Sequence, residues 1–271
     1  MTASGAAPDT DGRTQPAAGN GSPGFDAAAW QQSWDRQQEG YLPDREERFA
    51  TMLDAVVAIN EDAPPRILDL AGGTGSISLR ALARFPRAST TVLDVDPVLL
   101  AIALASLDER TTFVNADLRS PDWAHALDGA QYDAVLTATA LHWIQPARLA
   151  ELYREIRDVL RPGGLFANAD HMPDPGLPSL GPRLTLMNEH RHAAAARAGA
   201  VLDWDSWWEK LAEEPALADL LPQRAAVFAD RHPVEVEPDV AWHLDALRAA
   251  GFGEVGVLWR AGNDAAIAAL R

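Results

Sequence analysis

The chain has 271 residues, 47% of them hydrophobic and 23% charged, which suits one large domain or two small ones and excludes wholesale disorder. Thirty-nine acidic against 23 basic residues leave a formal charge of −16, a poor match to a phosphate backbone, so nucleic-acid binding is not expected. The absence of cysteine excludes disulfides, thiolate metal sites and cysteine nucleophiles, and Lys210 is the sole lysine for any amine chemistry.

Residues 1–24 are small and polar, with a single Arg13 and no apolar run, and read as a disordered tail rather than a signal segment. No run reaches the roughly 18 apolar residues of a membrane span, so the default location is the cytoplasm. Residues 25–60 read as helices carrying a dense polar-aromatic stretch from Trp30 to Phe49. From Pro64 the pattern changes to short apolar runs alternating with helices, the mark of a parallel α/β sheet. Strands are expected at 66–70, 90–95, 111–115 and 132–138. Between them, Ser76 to Phe85 is helical and stopped by Pro86, and Asp96-Pro97 supplies an N-cap and first-turn proline for a helix to about Leu107. Pro146 to Leu160 is amphipathic, with Leu149, Leu152, Tyr153, Ile156 and Val159 on one face. Arg161-Pro162-Gly163-Gly164 breaks it before a fifth strand at 165–169. Residues 171–238 are too long for a plain connection and read as a helical insert. Val240 to Ala250 is helical and stops at Gly251. Two further strands are expected at 254–259 and 265–270, the second alanine-rich enough to be helical instead.

The chemistry concentrates at strand ends. Ile67 to Ser76 runs a buried strand into a turn of small residues, Ala71-Gly72-Gly73-Thr74-Gly75, that opens a helix. Glycines there let backbone N–H groups approach a ligand at the carboxyl end of a strand, where open sheets bind ligands. A dinucleotide fingerprint needs a third glycine at Ser78, which is absent, so an NAD(P)-dependent oxidoreductase is a distant alternative. Asp69 lies in the strand itself, where a carboxylate suits an ammonium group and not a pyrophosphate. Asp94 ends the second strand, where it can accept both hydroxyls of a ribose, and Asp117 follows the third, where it can accept from an adenine amino group.

Together these residues resemble a class I S-adenosylmethionine-dependent methyltransferase of the small-molecule type. Leu68 to Gly75 follows the family's first motif, with Ala71 in place of its first glycine. Tyr132 to Leu136 matches the strand ending beside the transferred methyl, and Leu160 to Leu165 the turn before the fifth strand. The resemblance covers residues 45–170 and, more loosely, 239–271. It implies a Rossmann-like sheet of order 3-2-1-4-5-7-6 with the last strand antiparallel. Residues 61–170 and 239–271 would form this cofactor-binding core, capped by helices from 25–60 and by the 171–238 insert as a substrate lid. It also implies S-adenosyl-L-methionine as cofactor, S-adenosyl-L-homocysteine as product, and a cofactor site of Tyr41, Arg45, Asp69, Ala71, Gly73, Gly75, Asp94, Val95, Asp117, Leu118 and Thr137.

In the loop after the fourth strand, His142 can take a proton from an acceptor, since an imidazole titrates near pH 6.5. His171, after the fifth strand, is a second candidate. His142, Trp143 and Trp207 are offered to the substrate, although Trp204, Trp207, Trp208 and Leu211 also repeat as the packed face of a helix. Tyr41 can face a sulfonium and Arg45 a carboxylate, whereas Asp44 to Arg48 is equally a solvated salt-bridge pattern. Among Glu189, His190 and His192, residues two apart do not share a helix face, which makes a weak ligand set, so no metal is expected. The expected activity is methyl transfer to an oxygen or nitrogen, less readily carbon, of a small molecule, in keeping with secondary metabolism. A module that binds S-adenosylmethionine or its product without transferring the methyl is the alternative, and no membrane partner is expected.

Overall fold

The computed structural model describes residues 13–14, 24–41, 44–60, 63–198, 201–229 and 238–271. Apart from Arg13, Thr14 and Gly24, the expected tail lies outside the described residues. Seven strands form the sheet: β1 (Arg66–Leu70), β2 (Ser89–Asp94), β3 (Thr111–Asn115), β4 (Tyr132–Ala138), β5 (Leu160–His171), β6 (Glu254–Ala261) and β7 (Asp264–Leu270). Their order is β3-β2-β1-β4-β5-β7-β6, and Arg13–Thr14 adds a two-residue antiparallel edge beyond β3. The first five are parallel, and β7 runs antiparallel to both β5 and β6. The order expected from the resemblance is the order observed.

The central strands are apolar because helices cover both faces of the sheet there, whereas the edge strand β6 is largely exposed. In β1 every residue after Arg66 is buried. One face of the sheet packs Phe49, Met52, Leu53 and Val56 of α2 (Arg45–Asn60) together with Ile77 and Ala81 of α3 (Ser76–Arg84). The other receives α5 (Pro146–Val159) and α9 (Val240–Ala249) through Leu149, Tyr153, Ile156 and Leu247. The helix α4 (Pro97–Ser106) is apolar on all sides, and accordingly it is enclosed. Leu100 and Ala103 meet Val92 and Phe113 of the sheet. Val98, Leu99 and Ile102 meet Trp34 of α1 (Ala27–Tyr41) and Trp207 and Leu211 of α7 (Trp204–Ala212).

Several boundaries differ from the sequence reading, most of all at the fifth strand. The fifth strand starts at Leu160, which pairs with Tyr132. The Arg161–Gly164 turn is a break inside it, after which Leu165 resumes opposite Ala134 and pairing continues to Ala169. Antiparallel pairing with β7 carries the strand on to His171, so that histidine is the last strand residue and not a loop residue. The alanine-rich segment 264–270 is a strand, since small side chains fit between β5 and β6 where a helix would leave both edges unpaired. Between β5 and α9 the chain forms α6 (Leu180–Arg197), α7 and α8 (Leu221–Phe228). No described helix is long and apolar enough to cross a membrane.

Candidate active site

The strand order reverses at β1, and the crevice at its carboxyl end holds the small-residue turn. Ala71, Gly73 and Gly75 all have positive φ, at 52°, 55° and 77°. The left-handed conformation of Gly75 favours glycine, and a Cβ there would stand 2.5 Å from Leu107 Cδ1, which would have to shift. The Gly73 N–H donates to Asp94 Oδ2 at 2.8 Å, and the Asp96 N–H to Asp94 Oδ1 at 2.8 Å. Burial pushes the Asp94 carboxyl up to about 6, against these donors. Asn115 ties the neighbouring turn by donating to the carbonyls of Asp94 and Val95. Val95 is half-buried at this edge.

Asp69 is placed deeper than its reading as an ammonium partner requires. It is fully buried under Gly72, and its Oδ2 accepts from the Ser78 N–H at 2.9 Å and hydroxyl at 2.8 Å. It thus fastens the turn to α3. Burial pushes its carboxyl up to about 7. Three buried oxygens in this region have no hydrogen-bond partner among the described residues: Asp69 Oδ1, Thr137 Oγ1 and Gln31 Oε1. Unmet acceptors cost free energy, and their presence beside an acid-rich turn fits a ligand that brings donors and positive charge.

Past β3, Asp117 forms a bidentate pair with Arg119, Nε donating to Oδ1 at 3.0 Å and Nη2 to Oδ2 at 2.6 Å. The Leu118 carbonyl accepts from Arg148 at 3.0 Å. Both residues flank the crevice, but each already has a protein partner, so an adenine ring must be met by what remains of their acceptor capacity.

The N-terminal helices reach the turn through residues other than those expected. Trp34 lies 3.9 Å from the point where a Cβ on Gly73 would stand, and it meets Trp204 at a tilt and Trp207 edge-on. Asp35 accepts from the Ser76 hydroxyl at 2.7 Å and from Arg80 at 3.0 Å. It also takes Arg45 at 2.6 Å, which gives that guanidinium a protein carboxylate in place of a ligand's. The Tyr41 hydroxyl accepts from the Trp204 N–H at 3.2 Å, and its ring is exposed at the end of α1. Arg48 is not on a solvated face. It is buried, lies 4.3 Å from the Trp259 ring and donates to Asp264 at 3.0 Å.

Beyond β4 the backbone turns through Thr139 at φ 51° into a short 3-10 helix, Leu141–Trp143. This turn brings His142 onto the end of β5. Its Nδ1 lies 2.6 Å from Asp170 Oδ1, and its backbone N–H donates to Oδ2 of the same carboxylate. Burial works against ionisation of Asp170, but His142 and His171 together outweigh it and hold the carboxyl below its usual range. With Nδ1–H given to Asp170, Nε2 carries the lone pair. His171 pairs through Nδ1 with Asp264 Oδ1 at 2.7 Å, and the two imidazoles lie 5.5 Å apart. Trp143 stacks 4.9 Å from His142 and is 58% exposed. Sequence reading found both histidines but missed Asp170 and Asp264. The signal for Asp170 was an acid beside His171 at a strand's end, and nothing in the sequence marked Asp264.

Trp207 is fully buried between α1, α4 and α7, packed against Trp30, Trp34 and Trp208, so the structure puts it in the core rather than at an open surface. Among the described residues no group of three or more metal-ligating side chains is close enough to hold an ion.

Residues 67–164 match a family described as the methyltransferase domain. An uncharacterized methyltransferase of Mycobacterium bovis is 36% identical over 104 residues, 38% of this chain and 38% of the relative. Trans-aconitate 2-methyltransferase of Rhodopseudomonas palustris is 27% identical over 210 residues, 78% of this chain and 72% of that one. Human N-acetylserotonin methyltransferase, solved with S-adenosylmethionine, has the same fold at a TM-score of 0.55 and 17% identity, covering 91% of this chain and 56% of the human one. The matched stretch thus spans well under half of the mycobacterial relative's length.

Proposed function

We propose that this chain is a class I S-adenosylmethionine-dependent methyltransferase and that it transfers a methyl group to an oxygen or nitrogen of a small-molecule acceptor, with His142 as the base. When bound, S-adenosylmethionine supplies a methyl on a sulfonium that a nucleophile can displace in line. The Gly73–Gly75 turn offers close backbone approach, and the unpartnered Gln31 and Thr137 oxygens offer acceptors, to the ammonium of its methionyl end. Asp94 accepts the ribose hydroxyls, with Ala71 and Val95 beside it, and Asp117 and Leu118 border the adenine. The helices α1, α2 and α6–α8 cap this core.

The carrying observation is the 2.6 Å contact between His142 Nδ1 and Asp170, at the mouth of β4. Asp170 fixes the tautomer, and Nε2 takes the proton that an acceptor hydroxyl or amine must lose as it is methylated. Exposed Trp143 gives a flat acceptor a surface to lie on. Two relatives carry names of small acceptors, trans-aconitate and N-acetylserotonin, which supports a small molecule over a polymer. The charge of −16 supports it too.

The test is turnover of methyl-labelled cofactor against a panel of phenols, carboxylates and amines. His142→Gln and Asp170→Asn are expected to lower kcat about 100-fold or more while leaving S-adenosylhomocysteine affinity intact. Unchanged kcat in both variants removes His142 from the reaction. Tight cofactor binding with no transfer to any acceptor favours a binding module instead.

A further inference from the structure

We infer that Arg224, on a helix read by no motif, is a positioning residue for the cofactor, and that α8 is a lid over the adenosyl end of the site. The inference rests on the reading of Asp94 and Asp117 given above.

Two contacts from α8 reach the two loops that follow β2 and β3. Arg224 Nε donates to Asp96 Oδ2 at 2.8 Å. Arg119, already paired with Asp117, donates to the Val227 carbonyl at 3.4 Å. Asp96 is 2% exposed and fully engaged: its Oδ1 caps α4 by accepting from the Val98 and Leu99 N–H groups, and its own N–H donates to Asp94 Oδ1. The chain of contacts from Arg224 to the ribose carboxylate is therefore two hydrogen bonds long. Without Arg224, the Asp96 carboxylate would lie buried and unpaired beside Asp94, a state that drives such a group either to protonate or to pull towards solvent. A carboxylate pulled towards solvent takes with it the Asp96 N–H that holds Asp94.

Arg224 is itself held from both sides. Its guanidinium carbon lies 3.5 Å from the Trp208 ring of α7 and 4.6 Å from the Phe228 ring of its own helix. Trp208 in turn packs on Trp204 and Trp207, and Trp207 on Trp34 over the glycine turn. One aromatic stack thus joins the lid, α1 and the turn. The contacts of α8 with Asp96 and Arg119 fall on the β2 and β3 side of the crevice, away from His142. That placement makes α8 a cover for the cofactor rather than for the acceptor.

The test combines the dissociation rate of S-adenosylhomocysteine with amide hydrogen exchange of the full chain, with and without that ligand. Wild-type α8 amides are expected to gain protection on binding. Arg224→Met, which keeps the stacked bulk and loses the charge, is expected to release the ligand about tenfold faster and to lose the α8 protection, with protection in α3 and α5 unchanged. Arg224→Lys restores most of both, whereas a role confined to packing would be served as well by Met. A wild-type rate in Arg224→Met overturns the inference. If that variant does not fold, wild-type exchange decides alone, and α8 amides indifferent to the ligand refute the lid. A wild-type chain that binds no S-adenosylhomocysteine overturns the cofactor reading and the lid with it; binding without any α8 response overturns the lid only.

Discussion

Ala71 and Gly73 occupy the same left-handed region of backbone space, at φ 52° and 55°, yet only one carries a Cβ. That methyl meets the following carbonyl, at a cost of about 1–2 kcal/mol. Ala71→Gly is therefore expected to raise stability by about 1 kcal/mol in urea unfolding, the greater freedom of unfolded glycine offsetting the rest. A loss of stability would show that the packing of the methyl outweighs its strain. The two acids of the crevice titrate upwards instead of downwards. Ribose hydroxyls need an ionised acceptor, so affinity for S-adenosylhomocysteine is expected to fall as pH drops below about 6, where Asp94 takes up a proton. Calorimetric titration across that range checks this, and Asp94→Asn flattens the profile along with weakening it. Asp69 holds its proton up to about 7 in the folded chain, against 3.8 for the ordinary side chain. Folding then binds a proton between these values, so its contribution to stability is greatest in acid and declines as pH rises through this window. Asp69→Asn, neutral throughout, is expected to narrow the difference between urea midpoints at about pH 5 and about pH 8. An undiminished difference assigns that pH dependence to other groups.

At the scale of elements, α4 and α7 show how periodicity translates into packing. The Trp207 and Leu211 positions follow a helical repeat behind the Asp203 N-cap, which accepts from Ser206 N–H at 2.9 Å. The repeat marks an inward face but does not say what lies inside. Trp207 fills the space between α1, α4 and α7, so Trp207→Ala is expected to cost about 3–5 kcal/mol in chemical unfolding. A smaller cost would mean that the three helices close over the cavity. In α2, the pattern from Asp44 to Arg48 was equally consistent with solvent and with burial, because local sequence records spacing and not what approaches from elsewhere. Arg45 meets Asp35 of α1 and Arg48 meets Asp264 of β7, partners 10 and 216 residues away. The extent of β5 was misjudged for the same reason: its last residues are strand because β7 pairs with them.

For the whole molecule, a ligand that binds only the folded state shifts unfolding by mass action, about 2.7 kcal/mol at 100 times Kd. S-adenosylhomocysteine is expected to raise the melting temperature and NADH to leave it unchanged; the reverse would restore the dinucleotide reading. The sequence by itself determined the run of strands and helices and the place of the glycine turn, and the resemblance carried by those motifs implied the strand order. The strands, helices and turn depend on local signals, namely apolar runs, glycine spacing and acids at strand ends. It also placed His142 near the site. Only the tertiary structure decided which groups work together. Asp170 becomes the partner of His142, Trp34 covers the glycine turn, and Arg224 reaches Asp96 across 128 residues of chain. Such pairings arise from the docking of separate elements, and the free energy that selects them lies in contacts with no period and no fixed spacing along the chain.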